Sequence, residues 1–355
     1  MARSTALLAI DVGGANLKVA DGQGFALSNG FALWKTPERL PAALAELIRN
    51  APPANGRPHT DSHAHADSAA LVATMTGELA DCFATKAAGV RAIVAALVEA
   101  AAGRSLRIYL TDGALVSPEE AIERPLAAAA SNWRAVAQFA ARYVSQRAGL
   151  LIDIGGTTTD IIPIIEGRPS ALGLTDPARL SHGELVYTGV VRSPICAVVE
   201  SLLWRGTKCP TAQELFATTL DAYLTLGELP EDAGDLATAD GRPATRAAAH
   251  DRLARAICAD RTMFDEGDAL IAAEAIRAAQ SARLATAIVH VLARMAVRPT
   301  TIVLSGQGEF LARRVLKKLP IDAEVISLAA QLGPDVSRCA PAHALAVLTL
   351  EAAER

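Results

Sequence analysis

The sequence predicts a duplicated α/β protein: two lobes, each a mixed sheet flanked by helices, facing one another across a central cleft. Three observations carry this expectation. An apolar run ending in an Asp-x-Gly-Gly turn occurs twice, at residues 11–18 and 153–160. The copies lie too far apart for solenoid repeats of roughly 20–50 residues, so each belongs to its own lobe. Strand-like apolar segments alternate with helical patterns along the chain, as in sheets covered by helices.

Each element follows from its local pattern. Residues 7–10 are apolar and run into Asp11-Val12-Gly13-Gly14, and residues 16–20 resume a strand-like alternation. That reads as strand, tight turn, strand. A helix is expected over 38–49. Residues 51–69 gather Pro, Asn, Gly, Ser, Asp and three histidines, the composition of a solvated loop insertion. A strand over 71–75, a helix over 82–103, a strand over 107–110 and a helix over 132–147 complete the first lobe. Residues 150–154 are almost wholly apolar, as befits a central strand buried on both faces. Gly155-Gly156 turns the chain and 160–165 returns. Helices are expected over 192–203, 247–258 and 268–296, with a loop around 227–242. A last strand over 301–304 enters Ser305-Gly306-Gln307-Gly308, followed by helices over 309–318 and 342–353. The lobe boundary is expected near 148, giving an N-terminal lobe of 1–148 and a C-terminal lobe of 149–355.

The two turns point to phosphate chemistry. Paired glycines let backbone amides approach an anion with no side chain in the way. In the first turn Asn16 and Lys18 add an amide and an ammonium to Gly13 and Gly14; in the second, Thr157, Thr158 and Thr159 add hydroxyls to Gly155 and Gly156. Asp11 and Asp153 at the strand ends, with Asp160, are candidate ligands for Mg²⁺, which takes few carboxylates and keeps much of its water. Two such loops across a cleft would clamp a di- or triphosphate. One Gly-Gly turn alone is most often an ordinary hairpin; two, each led by an apolar run and an aspartate, argue for the cleft. Gly306, Gln307 and Gly308 sit at a strand–helix junction, where a helix N-terminus can seat an anion or a nucleotide. They could equally form a helix-entry turn.

Composition narrows the classes. Hydrophobic residues make up 51% and charged residues 20%, a globular balance. Aromatics are only 4%, so the core rests on Ala, Val, Leu and Ile. A net charge of −4 gives no general pull toward nucleic acid or anionic membranes, and neither partner is expected. The first residues lack the basic-then-apolar pattern of a secretory signal. No uncharged apolar stretch is long enough to span a bilayer. The five cysteines are odd in number and form no Cys-x-x-Cys pair, which argues for a reducing compartment and a cytoplasmic location. Cys82 and Cys258 fall in helical patterns and are expected to be buried small hydrophobes. His59, His63 and His65 read as part of a solvated loop rather than a metal site. A homo-oligomer is compatible with all of this.

These residues carry a resemblance. The three Gly-rich segments resemble the phosphate-1, phosphate-2 and adenosine motifs of the actin/hexokinase/heat-shock-protein-70 superfamily. That resemblance implies an actin-like (ribonuclease-H-like) fold in each lobe. Asp153-Ile154-Gly155-Gly156-Thr157-Thr158-Thr159-Asp160 is most similar to the hydantoinase/oxoprolinase branch. The first motif departs from it, with Ala15-Asn16-Leu17-Lys18 where that branch usually has Thr-Phe-Thr-Asp. A narrower likeness lies in Met75-Thr76-Gly77-Glu78-Leu79-Ala80-Asp81-Cys82-Phe83, with Thr85-Lys86, and in Ser181-His182-Gly183-Glu184-Leu185-Val186-Tyr187-Thr188-Gly189-Val190 with Arg192. Cys258-Ala259-Asp260-Arg261 adds to it. These segments resemble the methanofuran-biosynthesis synthase family, known in methylotrophic bacteria as a tetrahydromethanopterin-linked one-carbon-pathway protein of methylofuran assembly.

The resemblance implies a transferase that joins an aminomethyl-furan-methanol diphosphate to the phenol oxygen of a γ-glutamyl-tyramine or tyrosine acceptor, releasing pyrophosphate. The loops and Mg²⁺ would grip the diphosphate, and Lys18 would neutralise the charge that develops on it. Glu78, Asp81 and Asp112 are candidates for general base toward the phenol. Thr76, Lys86, Gly183, Glu184 and Arg192, with Gly306, Gln307 and Gly308, are candidate substrate- or nucleotide-binding residues. Arg192 reads equally as a surface ion pair. The alternatives are an ATP-dependent hydantoinase/oxoprolinase-like enzyme or small-molecule kinase, which would use the same loops for ATP, and a non-enzymatic actin-like nucleotide switch.

Overall fold

The computed structural model describes residues 7–51, 69–144 and 147–354. His59, His63 and His65, and nearly all of the expected loop insertion, lie outside the described residues.

The first sheet is built from β1 (Leu7–Val12), β2 (Asn16–Ala20) and β3 (Ala26–Gly30), then β4 (Ala70–Met75), β5 (Leu106–Tyr109) and β6 (Leu115–Val116). Its order is β3-β2-β1-β4-β5-β6, with β1 antiparallel to β2 and parallel to β4. Helices α1 (Leu40–Arg49) and α2 (Lys86–Ala101) cover one face, and α3 (Asn132–Ala140) the other. Thr85 caps α2 by accepting the Ala88 amide at 3.1 Å.

The second sheet repeats the plan. It takes β7 (Ala148–Ile154), β8 (Thr159–Ile165), β9 (Arg168–Pro169) and, after helix α4 (Asp176–Ser181), β10 (Leu185–Val186). A hairpin of β11 (Ser201–Trp204) and β12 (Thr207–Pro210) and helices α5 (Thr219–Thr225), α6 (Arg246–Arg255) and α7 (Glu266–Arg294) then form a separate body on this lobe. The chain re-enters the sheet with β13 (Thr301–Ser305), α8 (Glu309–Leu316) and β14 (Glu324–Ser327), and closes with α9 (Ala340–Ala353). The order β10-β8-β7-β13-β14 places β7 antiparallel to β8 and parallel to β13, the same neighbours that β1 has. This is a two-lobed actin-like fold.

Strand alternation divides the core. Leu8 and Ile10 of β1 join α1 and α2 in one cluster, while Ala9 faces the other way. Leu150, Ile152 and Ile154 of β7 meet α7 and α8, and Leu151 faces the other way. Ala9 and Leu151 share a middle cluster with α3 and α9, which joins the two lobes. Helix α9 therefore packs on β1, β4 and α3 of the first lobe although it is last in the chain.

Three local expectations are corrected. The segment 192–203 forms one short helical turn and then β11, because Arg205-Gly206 adopts positive φ at both residues and closes a two-residue hairpin. The helix from 132 stops at Ala140, short of 147. Cys82 and Cys258 are exposed rather than buried: Cys82 lies in a turn and Cys258, at φ 57°, lies beyond the end of α6. Among the described residues no helix is long and apolar enough to cross a membrane.

Candidate active site

Both Gly-Gly turns lie at the carboxyl ends of the central strands, where open α/β sheets present their ligand crevice. Their backbone geometry is shared. Gly13 N–H donates to Asn16 O at 3.0 Å, and Gly155 N–H to Thr158 O at 2.9 Å. The carbonyls are turned away and pinned from behind. Leu33 N–H holds Gly14 O at 3.0 Å and Phe31 N–H holds Ala15 O at 2.9 Å; Val190 N–H holds Gly155 O at 3.0 Å and Arg192 N–H holds Gly156 O at 2.8 Å. Among the described residues nothing satisfies the amides of Gly14, Ala15, Gly156 and Thr157. Each tip thus presents free donors, the requirement of an anion nest.

The second tip is held by a buried polar scaffold. A Cβ on Gly189 would lie 2.5 Å from Gly155 O, Gly156 C and Thr157 N, so only glycine lets this segment approach the loop. Gly189 O accepts from Thr219 Oγ1 at 2.8 Å and Gln280 Nε2 at 2.8 Å, and Ser193 Oγ receives Gly189 N–H at 3.0 Å. On the other side, Gln307 Nε2 would lie 2.8 Å from a Cβ on Gly156, and Gly306 (φ 82°) packs against Ile154 O and the Asp153 carboxylate.

Lys18 stands opposite Asp11 in the hairpin register, with Nζ 3.4 Å from Asp11 Oδ2. Burial works against its charge, but Asp11, followed by Cys339 and Asp153 of the second lobe, outweighs it and holds its pKa above the usual lysine value. Lys18 therefore couples the two lobes electrically. Asp153 is raised to about 7, because burial and the neighbouring Asp160 outweigh Lys18. Asp11 Oδ1 is buried with no hydrogen-bond partner. That orphan oxygen and Asp153 fit a hard, partly hydrated cation. Among the described residues no three His, Cys, Asp or Glu side chains converge as a metal cluster, so a Mg²⁺ here would also need phosphate oxygens and water.

A chain of charges crosses between the lobes. Asp160 is clamped by the buried Arg179, whose guanidinium also lies 4.5 Å from the Trp133 ring centre. Arg179 Nη1 is 3.6 Å from Asp176 Oδ1, and Asp176 Oδ2 accepts from Lys86 Nζ at 2.6 Å. Lys86, at the start of α2, lies 3.4 Å from Glu78 Oε1. Burial raises the Glu78 pKa in spite of Lys86, and Glu78 Oε2 has no partner.

The comparisons with known proteins decide the family. The hydantoinase/oxoprolinase family model matches residues 70–352. A protein of Methanocaldococcus jannaschii named (4-{4-[2-(gamma-L-glutamylamino)ethyl]phenoxymethyl}furan-2-yl)methanamine synthase is 32% identical over 345 residues, covering 96% of this chain and 97% of the relative. The chain belongs to this synthase family. A synthase of the same name from Methanococcus vannielii is 30% identical over 59% of this chain and 95% of the relative. Among solved structures, a nucleotide-free acetone carboxylase matches with a TM-score of 0.55 at 12% identity, over 97% of this chain and 70% of that one, a likeness of fold alone. The hydantoinase/oxoprolinase match begins after the first turn, where Ala15-Asn16-Leu17-Lys18 replaces that branch's residues.

Within this synthase-family chain the expected site residues separate. Gly13, Gly14, Asn16 and Lys18 lie in the first turn and on the strand after it, with Thr76 beside Gly13, and Gly155, Gly156, Thr157 and Thr158 form the second turn. Thr159 does not join them: its buried hydroxyl donates to Thr188 O at 2.8 Å. Asp160 is engaged by Arg179 rather than open to a metal. Glu184 is fully buried and accepts the Leu172 and Gly173 amides at 2.8 and 3.0 Å, and the adjacent Gly183 abuts His290 of α7; both build the lobe. Asp112 accepts the Ala114 amide and pairs with the exposed Arg124 near the β5–β6 edge, two elements from β1. Asp81 is exposed in the turn before α2. Three participants had no sequence signal of their own: Arg179, Asp176 and Trp34, whose ring lies under Arg192 at 4.6 Å. Gly189 had one, since it stands inside the Ser181–Val190 family segment.

Proposed function

We propose that this chain forms the aryl ether of a furan coenzyme precursor, condensing an aminomethyl-furan-methanol diphosphate with the phenol of a γ-glutamyl-tyramine or tyrosine acceptor. The observation that carries the reading is the pair of amide nests, one in each lobe, with Lys18 paired to Asp11 and supported by the charge of Asp153, in a chain whose relative, matched along nearly its whole length, bears that synthase name. Free amides and an ammonium suit a substrate diphosphate, with Mg²⁺ on Asp11 and Asp153 supplying further charge neutralisation when bound. As the bond from the furan CH₂ to the phosphate oxygen breaks, its electron pair leaves with pyrophosphate. The phenol oxygen then bonds to that carbon. Its proton needs an acceptor, and Glu78 is the best placed of the three carboxylates: it is buried, has a raised pKa and keeps one oxygen unpartnered.

The test is direct. Pure protein, the furan diphosphate, the phenolic acceptor and Mg²⁺ are expected to yield equimolar ether and pyrophosphate with no ATP. A strict ATP requirement, with ADP as product, would transfer the loops to the nucleotide reading. Glu78→Gln is expected to lower turnover about 10²-fold or more while diphosphate binding persists; unchanged turnover would remove Glu78 as base.

A further inference from the structure

Trp34 and Arg192 meet between the lobes, one from each, with the guanidinium carbon 4.6 Å from the ring centre. Each is tied to its own phosphate loop. Leu33, beside Trp34, donates its amide to Gly14 O at 3.0 Å, and Arg192 donates its own to Gly156 O at 2.8 Å. Trp34 is half-buried and Arg192 exposed. Among the described residues no carboxylate pairs with Arg192, so the ring face is its partner.

Two consequences follow from charge. An unpaired guanidinium beside two anion nests will turn toward a diphosphate placed between them, because a bidentate phosphate contact is stronger than an aromatic face. The face it leaves already suits a cation. The reaction proposed above makes one nearby: the carbon that loses the diphosphate is one oxygen away from it, and the furan ring shares the positive charge. We infer that Trp34 steadies the cation that builds on the furan CH₂ as pyrophosphate departs, occupying the face that Arg192 covers in the free protein. This rests on the proposed function. No co-reactant is needed: the electron pair leaves on the phosphate oxygen, the phenol oxygen supplies the new bond, and its proton passes to Glu78.

The expected result for Trp34→Leu is a fall in kcat of about tenfold with little change in KM for the diphosphate; Trp34→Phe retains most of the rate. Trp133 and Trp204 also face arginines, so ring fluorination must be read in two backgrounds. Protein carrying mono-, di- and trifluorotryptophan is expected to lose kcat stepwise in the wild type, but not in Trp34→Phe. Equal dependence in both backgrounds, or none in either, overturns the role. A second readout needs no turnover. Inorganic pyrophosphate with Mg²⁺ is expected to change the tryptophan emission of the wild type and not of Trp34→Phe; no difference between the two overturns the exchange at the ring face. Absence of ether from the wild type, with Trp34 in place, overturns the functional reading, and with it the cation that Trp34 would hold.

Discussion

Lys18 pairs with Asp11 at 3.4 Å and its charge is supported by Asp153 of the other lobe, so it is the residue whose charge the proposed site depends on most directly. Lys18→Met is expected to lower turnover about 10²–10³-fold, the scale of losing one preorganised charge at a leaving group. Steady-state kinetics alongside a thermal melt separates that from unfolding, and near-normal kcat would refute the role. The thiols give a second check. Cys339 is buried next to Lys18 and Asp11, and burial pushes it up to about 11, whereas Cys82 and Cys258 are exposed. At pH 8 an alkylating reagent is expected to modify Cys82 and Cys258 and spare Cys339 until denaturant is added; mass mapping reads this. Residue chemistry was legible in sequence only where type and spacing suffice, as for Gly13, Gly14 and Lys18. Thr159, Asp160 and Glu184 have the right types, but their partners at Thr188, Arg179 and Leu172–Gly173 are set by tertiary packing that no local pattern announces.

At the scale of elements, the second phosphate loop is shaped by the segment behind it. Gly189→Ala would drive a methyl into Gly155 and Gly156 backbone and is expected to weaken pyrophosphate binding tenfold or more in calorimetry, with little loss in Asp240→Asn, which lies away from the phosphate loops. Equal losses would deny the scaffold its role. The loop before α6 offers a pH test. Against the cost of partial burial, Arg242 and Arg252 hold Asp240 down to about 2. A depressed carboxylate stabilises above its unfolded value near 4, and that stability is lost as pH falls from about 4 toward 2. Because solvent screens this exposed carboxylate, Asp240→Asn is expected to be less stable by only about 0.5–1 kcal/mol at neutral pH, with the gap to wild type closing on acidification in urea titrations. Long periodic helices such as α2 and α7 were readable within a few residues. The β11–β12 hairpin was not, because its turn depends on positive φ at Arg205, which residue type does not signal.

For the whole molecule, the lobes touch through Lys86–Asp176 at 2.6 Å and through Arg192 on Trp34. Lys86→Met removes the first contact and leaves the Glu78 carboxylate without its cation, at a cost of about 1–3 kcal/mol. The free protein is expected to scatter as a larger particle in small-angle X-ray measurements and to contract again with pyrophosphate and Mg²⁺. An unchanged radius would mean that the shared core alone sets the lobe angle. The duplication was visible because the two Asp-x-Gly-Gly turns head equivalent strands. A lobe boundary near 148 remains our proposal, drawn from where one sheet's strands end and the next begin. The crossing of α9 was hidden, since its uniformly apolar Ala and Leu pattern does not name the surface it will cover.

That crossing bears on how the chain is made. Ala9 and Val72 face a cluster that includes Ala340, Ala344 and Leu345. During synthesis the first sheet emerges well before α9, so α3 can cover part of that face early while the part under α9 stays bare until α9 is made. The usual order, in which an N-terminal unit matures before its successor, thus leaves the first lobe's packing incomplete until α9 is made. The strand that carries Asp11 is made long before the helix that completes its packing.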